Sequence, residues 1–305
     1  MEKSNREYIA NLDLKEIRNH NVIRCQSNEG IPAVLIRNSE KSSDTKQRKS
    51  DHLLLKTNVE IVVSNDELGS FHIILCTTKN EEIIAHFDNI ARYLFLKKDA
   101  AMSSEEIVEL FSSLVSVFKL SPEKNNLQMQ IGVFGELISL HYFYNNNLKR
   151  IVSLWHKDFS SKHDIELDGK NRIEIKTTSS EKRIHRFGHN QICRKDVNVF
   201  ILSLVTEPSE QGISLYELFQ LTKNLVQDAR VLIALELLEY KCGITDLEKG
   251  FTSGFDSSLK SVRVFLADKL PHLVFDEEKG VSNVSYDVDC QFAVDETAEV
   301  FASWQ

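Results

Sequence analysis

Residues His163 to Thr178 read HDIELDGKNRIEIKTT, two short runs of alternating apolar and polar residues joined by Asp168-Gly169. Period-two alternation puts successive side chains on opposite faces of a strand, and Asp-Gly between two such runs marks a hairpin. Asp164, Glu166 and Asp168 then share one face, as do Arg172, Glu174 and Lys176, while Ile165, Leu167, Ile173 and Ile175 take the other. For both isoleucine faces to enter one core, the loop must hold an odd number of residues. A loop of Asp168-Gly169-Lys170 sets Asp164 opposite Glu174. A loop of Gly169-Lys170-Asn171 sets Asp164 opposite Lys176 and Glu166 opposite Glu174. Either register gathers carboxylates and Lys176 on one side.

Carboxylates about 5 Å apart across a strand pair repel unless positive charge sits between them. A hard divalent cation meets that need, because Mg²⁺ takes one or two carboxylates, a main-chain carbonyl and a substrate phosphate while keeping waters. Lys176 points the same way as Glu174, where it can orient or deprotonate a water at the ion and stabilise charge growing on a phosphate. The bland alternative is a solvated Glu-x-Lys face on an edge strand. Against it stand the clean alternation of the isoleucines and the order of the flanking elements.

Those elements are readable in outline. IPAVLIR, HLLLKTNVEIVVS and GSFHIILCTT alternate as strands of an antiparallel sheet, with the polar NSEKSSDTKQRKSD between the first two expected to be an exposed, mobile loop. NEEIIAHFDNIARYLFL and SSEEIVELFSSLVSVFKL follow as helices, the second opened by a capping box. Pro122 breaks the chain, so residues 1–122 form an N-terminal β-sheet region with two helices, and residues 123–305 a second domain ending in further strands. MQIGVFGELISLHYFYNN is apolar nearly all round and marks a buried helix. RIVSLWH is expected to be a strand, VNVFILSLVTE another, and Ser214 to Tyr240 one long helix. Glu136 is the one charged residue between Met129 and Asn145, and Gly132 and Gly135 suggest that another element comes close there.

Bulk properties narrow the partners. The net charge is −8, yet His141 to Lys195 holds twelve Lys and Arg against six Asp and Glu, a local +6 that leaves −14 elsewhere. Such asymmetry fits a basic binding surface on an acidic body. Five scattered cysteines argue for free thiols and against a zinc ribbon. No apolar run reaches the ~20 residues of a membrane span, and the first residues carry no apolar signal-peptide core, so a cytoplasmic protein is expected.

In order, GVFGELISL, SLWH, HDIEL and IEIKTT resemble the motifs of the PD-(D/E)XK nuclease superfamily, and more closely a bacterial family of PD-(D/E)XK motif proteins found among restriction and phage-defence genes. The resemblance implies an α/β (α+β) fold: a restriction-endonuclease-like core with a central mixed sheet flanked by helices, behind an N-terminal β-rich region. It implies Asp164, Glu174 and the main-chain carbonyl of Ile175 as ligands of Mg²⁺ or Mn²⁺. It makes Lys176 the catalytic lysine and Glu136 a further catalytic carboxylate at the metal. The superfamily's proline is absent, since Lys162-His163 precede Asp164. A glutamine on the next helix often reaches the site, and Gln191 is the candidate. Trp155 matches a family position and reads as core; His163, His185 and His189 could touch phosphate, but a surface histidine is usually only that. The implied activity is a DNA endonuclease or nickase, with Lys182, Arg183, Arg186 and Gln191 on the nucleic acid. Its partners would be a helicase-like or methyltransferase protein, or a second copy in a homodimer. The rival is a non-catalytic DNA- or protein-binding subunit that keeps the fold.

Overall fold

The computed structural model describes residues 21–26, 30–40, 45–64, 67–96, 101–119, 122, 126–156, 162–193, 196–273 and 283–304. Residues 1–20, which bear on the signal-peptide expectation, lie outside them, as do residues 41–44 of the polar stretch. The chain divides into two compact units, Met1–Pro122 and Glu123–Gln305. None of the helices is long and apolar enough to cross a membrane among the described residues, and the cysteines are free.

In the first unit, β1 (Val22–Gln26), β2 (Pro32–Arg37), β3 (Gln47–Lys49), β4 (Leu53–Ser64) and β5 (Glu67–Cys76) form an antiparallel sheet in the order β1-β2-β5-β4-β3. Alternation gathers Ile23, Ala33, Leu35, Ile61, Phe71, Ile73 and Leu75 into one buried cluster. Helices α1 (Glu81–Leu96) and α2 (Ser104–Phe118) pack on the sheet. The capping box forms as read: Ser103 Oγ accepts from the Glu106 N–H at 3.2 Å and Glu106 Oε2 from the Ser103 N–H at 2.8 Å. The polar stretch is not all loop. Gln47, Arg48 and Lys49 form the edge strand β3, exposed throughout, and charge on an edge discourages pairing with other chains.

The second unit runs α3 (Leu127–Asn145), α4 (Lys149–Val152), β6 (Ile165–Glu166), β7 (Asn171–Thr178), β8 (Ile184–Gly188), α5 (His189–Ile192), β9 (Asn198–Val205) and β10 (Pro208–Ser214). It continues with α6 (Leu215–Leu225), α7 (Ala229–Cys242), β11 (Thr252–Ser253), α8 (Phe255–Lys260), β12 (Arg263–Leu266), β13 (Ser285–Asp289) and α9 (Thr297–Trp304). A four-stranded mixed sheet, ordered β12-β9-β7-β6, is its centre; β7 and β9 run parallel, the other pairs antiparallel. Strands β8 and β13 pair separately. As its all-round apolarity requires, α3 is buried on most sides, packing on β7, α6 and α8. Phe187, Ile192, Val199, Ile201, Phe265 and Val288 form a further apolar cluster beside the sheet.

Two further expectations are corrected. RIVSLWH is no strand: Leu148 and Ile151 carbonyls accept from Ile151 and Leu154 N–H groups at 2.9 and 3.0 Å, giving α4 and a turn, and Trp155 makes one bridge to Ile165. A run this short carries no period that separates strand from turn. The long helix is two. Val226 leaves the helical region at φ −95° and ψ 137°, and Asp228 caps α7 by accepting from the Arg230 N–H at 2.9 Å.

Candidate active site

The hairpin takes the first of its two registers. Ile165 faces Ile173 and Glu166 faces Arg172, so the loop is Asp168-Gly169-Lys170 and Asp164, one residue before β6, falls on the Glu174 side. Asp168 closes the loop, accepting from the Lys170 and Asn171 N–H groups at 2.7 and 2.9 Å and from Asn171 Nδ2 at 2.8 Å. Those bonds hold its carboxyl below the usual range and give it to the turn.

Strand β7 is interior, between β6 and β9, and not an edge strand. Glu174 is only 4% exposed. Its Oε1 accepts from Lys176 Nζ at 2.7 Å and from Gln191 Nε2 at 2.8 Å, and its Oε2 lies 3.3 Å from His163 Nδ1. Gln191, presented by α5, is itself fixed by the Gly188 N–H on its Oε1 at 2.9 Å. Lys176 Nζ also stands 5.4 Å from the centre of the Phe187 ring. Asp164 is tied to the same strand, its Oδ2 accepting from the Ile175 N–H at 2.6 Å.

Helix α3 supplies a third carboxylate because glycine lets it come close. A Cβ on Gly135 would stand 1.7 Å from Thr177 Oγ1, so only glycine allows this contact between α3 and β7. Gly132 has nothing within 4 Å of its Cβ position and serves no such approach. The next residue, Glu136, accepts on Oε2 from Trp155 Nε1 at 3.1 Å, and the same oxygen lies 2.9 Å from His156 Nε2. Donor atoms of Glu136, His156 and Asp164 all lie within 4.8 Å of one another.

Three carboxylates and one lysine therefore share a poorly hydrated space. Burial, then the Glu136 and Glu174 charges, push the Asp164 carboxyl well above its usual range, and the Ile175 N–H and the Lys176 ammonium offset this in part. A carboxyl that is desolvated and crowded by two like charges is what a divalent cation relieves. Oxygen donors in this number suit Mg²⁺ or Mn²⁺, so the residues fit such an ion.

The basic residues divide. Lys182 is exposed, and Arg186 is exposed with one bond, to Ser285 Oγ at 2.9 Å. Arg183 is not with them on the open surface: it donates to Ser203 O and Oγ at 3.0 Å and to the Ser261 carbonyl, which ties β9 to the chain after α8. The histidines also differ from expectation. His163 and His185 are buried, the latter 2.7 Å from Ser203 Oγ, and His189 Nδ1 lies 3.3 Å from the Tyr286 hydroxyl. Burial, with Arg183 and Lys176 near, pushes His185 down to about 4. Trp155 is core as read, 1% exposed, yet its indole N–H also serves Glu136. His156 was not singled out in the sequence; SLWH is the one signal that pointed near it.

A small mixed sheet carrying a half-buried acidic centre on its hairpin, with a helix bringing a third carboxylate, defines a nuclease-like protein of the restriction-endonuclease-like fold. The family model described as "Putative PD-(D/E)XK family member, (DUF4420)" matches residues 1–291, and the chain belongs to that family. The match runs through both units, so the N-terminal sheet belongs to the family's architecture. Comparison with curated proteins and with solved structures returned no match.

Proposed function

We propose that the protein is a Mg²⁺- or Mn²⁺-dependent DNA endonuclease or nickase acting in restriction or phage defence. The observation that carries the hydrolytic reading is Lys176, held 2.7 Å from the Glu174 carboxylate beside an Asp164 whose ionisation two neighbouring acids oppose. Asp164, Glu136, Glu174 and the Ile175 carbonyl would hold the cation, which when bound supplies Lewis acidity toward the scissile phosphate and lowers the pKa of water. The chain's own groups do the rest. Glu174, braced by Gln191 and His163, aims the Lys176 ammonium, and that ammonium stabilises the negative charge that builds on the phosphate oxygens. The Ile175 N–H fixes the Asp164 carboxylate against β7, so the acidic groups need not reorganise. Lys182 and Arg186 contact DNA phosphates, which positions the duplex without reading its sequence.

The defence role and the helicase-like or methyltransferase partner extend the family resemblance, and a homodimer would let two centres cut both strands. The net charge of −8 favours a second reading, a DNA- or protein-binding subunit that does not cut. Incubation of supercoiled plasmid with Mg²⁺ or Mn²⁺ separates the two. The wild type should give nicked or linear product, and Lys176→Ala should slow it by about 10²–10³-fold, the cost of removing one charge-stabilising group. Identical products from the two proteins would overturn the nuclease reading.

A further inference from the structure

We propose that His156 is a direct ligand of the cation, together with Glu136 and Asp164, and that this mixed nitrogen and oxygen set selects a first-row transition ion such as Mn²⁺ over Mg²⁺. The inference rests on the reading of the acidic centre as a metal site and names the ion class it takes.

The four groups expected at the ion are not equally disposed toward one. Glu174 already receives Lys176 and Gln191 on one oxygen and faces His163 on the other, so its carboxylate is committed to orienting the lysine. Glu136, His156 and Asp164 instead converge, with one donor atom from each inside a 4.8 Å span. The 2.9 Å between His156 Nε2 and Glu136 Oε2 also matches adjacent ligands of an octahedral ion, which stand about 3 Å apart at bond lengths of about 2.1 Å.

The backbone places the ring there deliberately. His156 sits at φ 46°, a left-handed conformation that disfavours side chains, and its N–H donates to the Asp164 carbonyl at 3.2 Å. The indole beside it, 4.5 Å between ring centres, donates to the same Glu136 oxygen. One short turn thus delivers an imidazole to Glu136 while pinning itself to Asp164. Mg²⁺ demands an oxygen octahedron and gives up water reluctantly, whereas first-row transition ions accept imidazole. A nitrogen in the set therefore works against Mg²⁺ specifically.

Mn²⁺ is the probe, because its electron spin reports bound nitrogen directly. Electron spin-echo modulation of the Mn²⁺-loaded protein should show ¹⁴N coupling that His156→Ala abolishes and His163→Ala, altering the imidazole beside Glu174, leaves in place. Labelling all histidines with ¹⁵N should replace the ¹⁴N pattern in the wild type, which assigns the coupling to imidazole, and His156→Gln repeats the test should His156→Ala fail to fold. By calorimetry, His156→Ala should weaken Mn²⁺ binding at least about tenfold while changing Mg²⁺ binding less than about threefold. Bound Mn²⁺ without nitrogen coupling, coupling that persists in His156→Ala, or no Mn²⁺ binding at all would each overturn the assignment. Plasmid cutting without nitrogen coupling would keep the nuclease reading and remove His156 from the metal. Nitrogen coupling in a protein that cuts nothing would do the reverse.

Discussion

Among the described residues of the second unit, two carboxylate clusters are neutralised differently, one buried and one half-buried. Between α6 and α7, Lys223 Nζ sits 2.7 Å from Glu236 Oε2 and also bonds Glu239, whose other oxygen receives Gln220 Nε2 at 3.1 Å. Both acids raise the lysine's pKa above its ordinary value against the pull of burial. At the hairpin, by contrast, Lys176 bonds Glu174, and Asp164 is left with a carboxyl pushed well upward. The helix pair holds its charges with a lysine placed between them, which makes a structural element. The hairpin gathers three acids with its lysine on one of them, the arrangement proposed to take a cation. Acid count alone would not separate the two; the position of the cation does.

The largest effect should come from breaking the helix cluster. Lys223→Ala would remove the cation between two buried carboxylates, and a broken buried ion pair costs about 3–5 kcal/mol, so thermal unfolding should shift down strongly. Lys223→Met, equally uncharged, should be nearly as damaging. If either melts like the wild type, the helix cluster is not the structural element described.

Next in size is the approach that brings Glu136 to the hairpin. Gly135→Ala forces a Cβ into Thr177 Oγ1, and overpacking of this kind costs about 1–3 kcal/mol. Because the strain pushes α3 from β7, cation binding should weaken along with stability, whereas Gly132→Ala, in open space, should leave binding unchanged and raise stability by up to about 1 kcal/mol. A Gly135→Ala protein with wild-type affinity for Mn²⁺ would show that the α3 contact does not set the site.

The smallest effect bounds the pH at which the comparison can be made. His141, buried 3.1 Å from Thr222 Oγ1, and His185 are both pushed from 6.5 to about 4, chiefly by burial. A histidine pKa lowered in the folded state contributes stability above 6.5 that is lost as pH falls toward about 4. Between pH 6.5 and 5.5 each should cost about 1 kcal/mol, and His185→Gln should flatten that slope in a series of thermal melts. An unchanged slope would mean that His185 is not held neutral.

The sequence carried the hairpin far because two constraints agreed there, alternation and an odd loop, and left only a choice between two registers. Backbone pairing made that choice, through Asp168 closing its own turn. Glu136 was visible as the one charge in an apolar helix, and Gly135 as a break in helix propensity that a close neighbour explains. His156 was not legible, since its role depends on a left-handed turn and a bond to the Asp164 carbonyl, neither of which has a local sequence period. Arg183 counted toward a basic surface by charge alone, but partners at Ser203 and Ser261 claimed it. The break at Val226 was hidden by continuous apolar spacing, although Asp228 is an ordinary helix cap.

The most direct test is the melting of the wild type and Asp164→Asn with and without Mg²⁺ or Mn²⁺ at pH 7.5. Removing a crowded charge while keeping an acceptor for the Ile175 N–H should make the apo variant at least as stable as the apo wild type. Cation at about 100 times its dissociation constant should stabilise the wild type by about 2.7 kcal/mol and leave the variant unmoved. A wild type indifferent to both ions, or a variant that responds equally, would contradict a divalent cation as the missing charge among Asp164, Glu136 and Glu174.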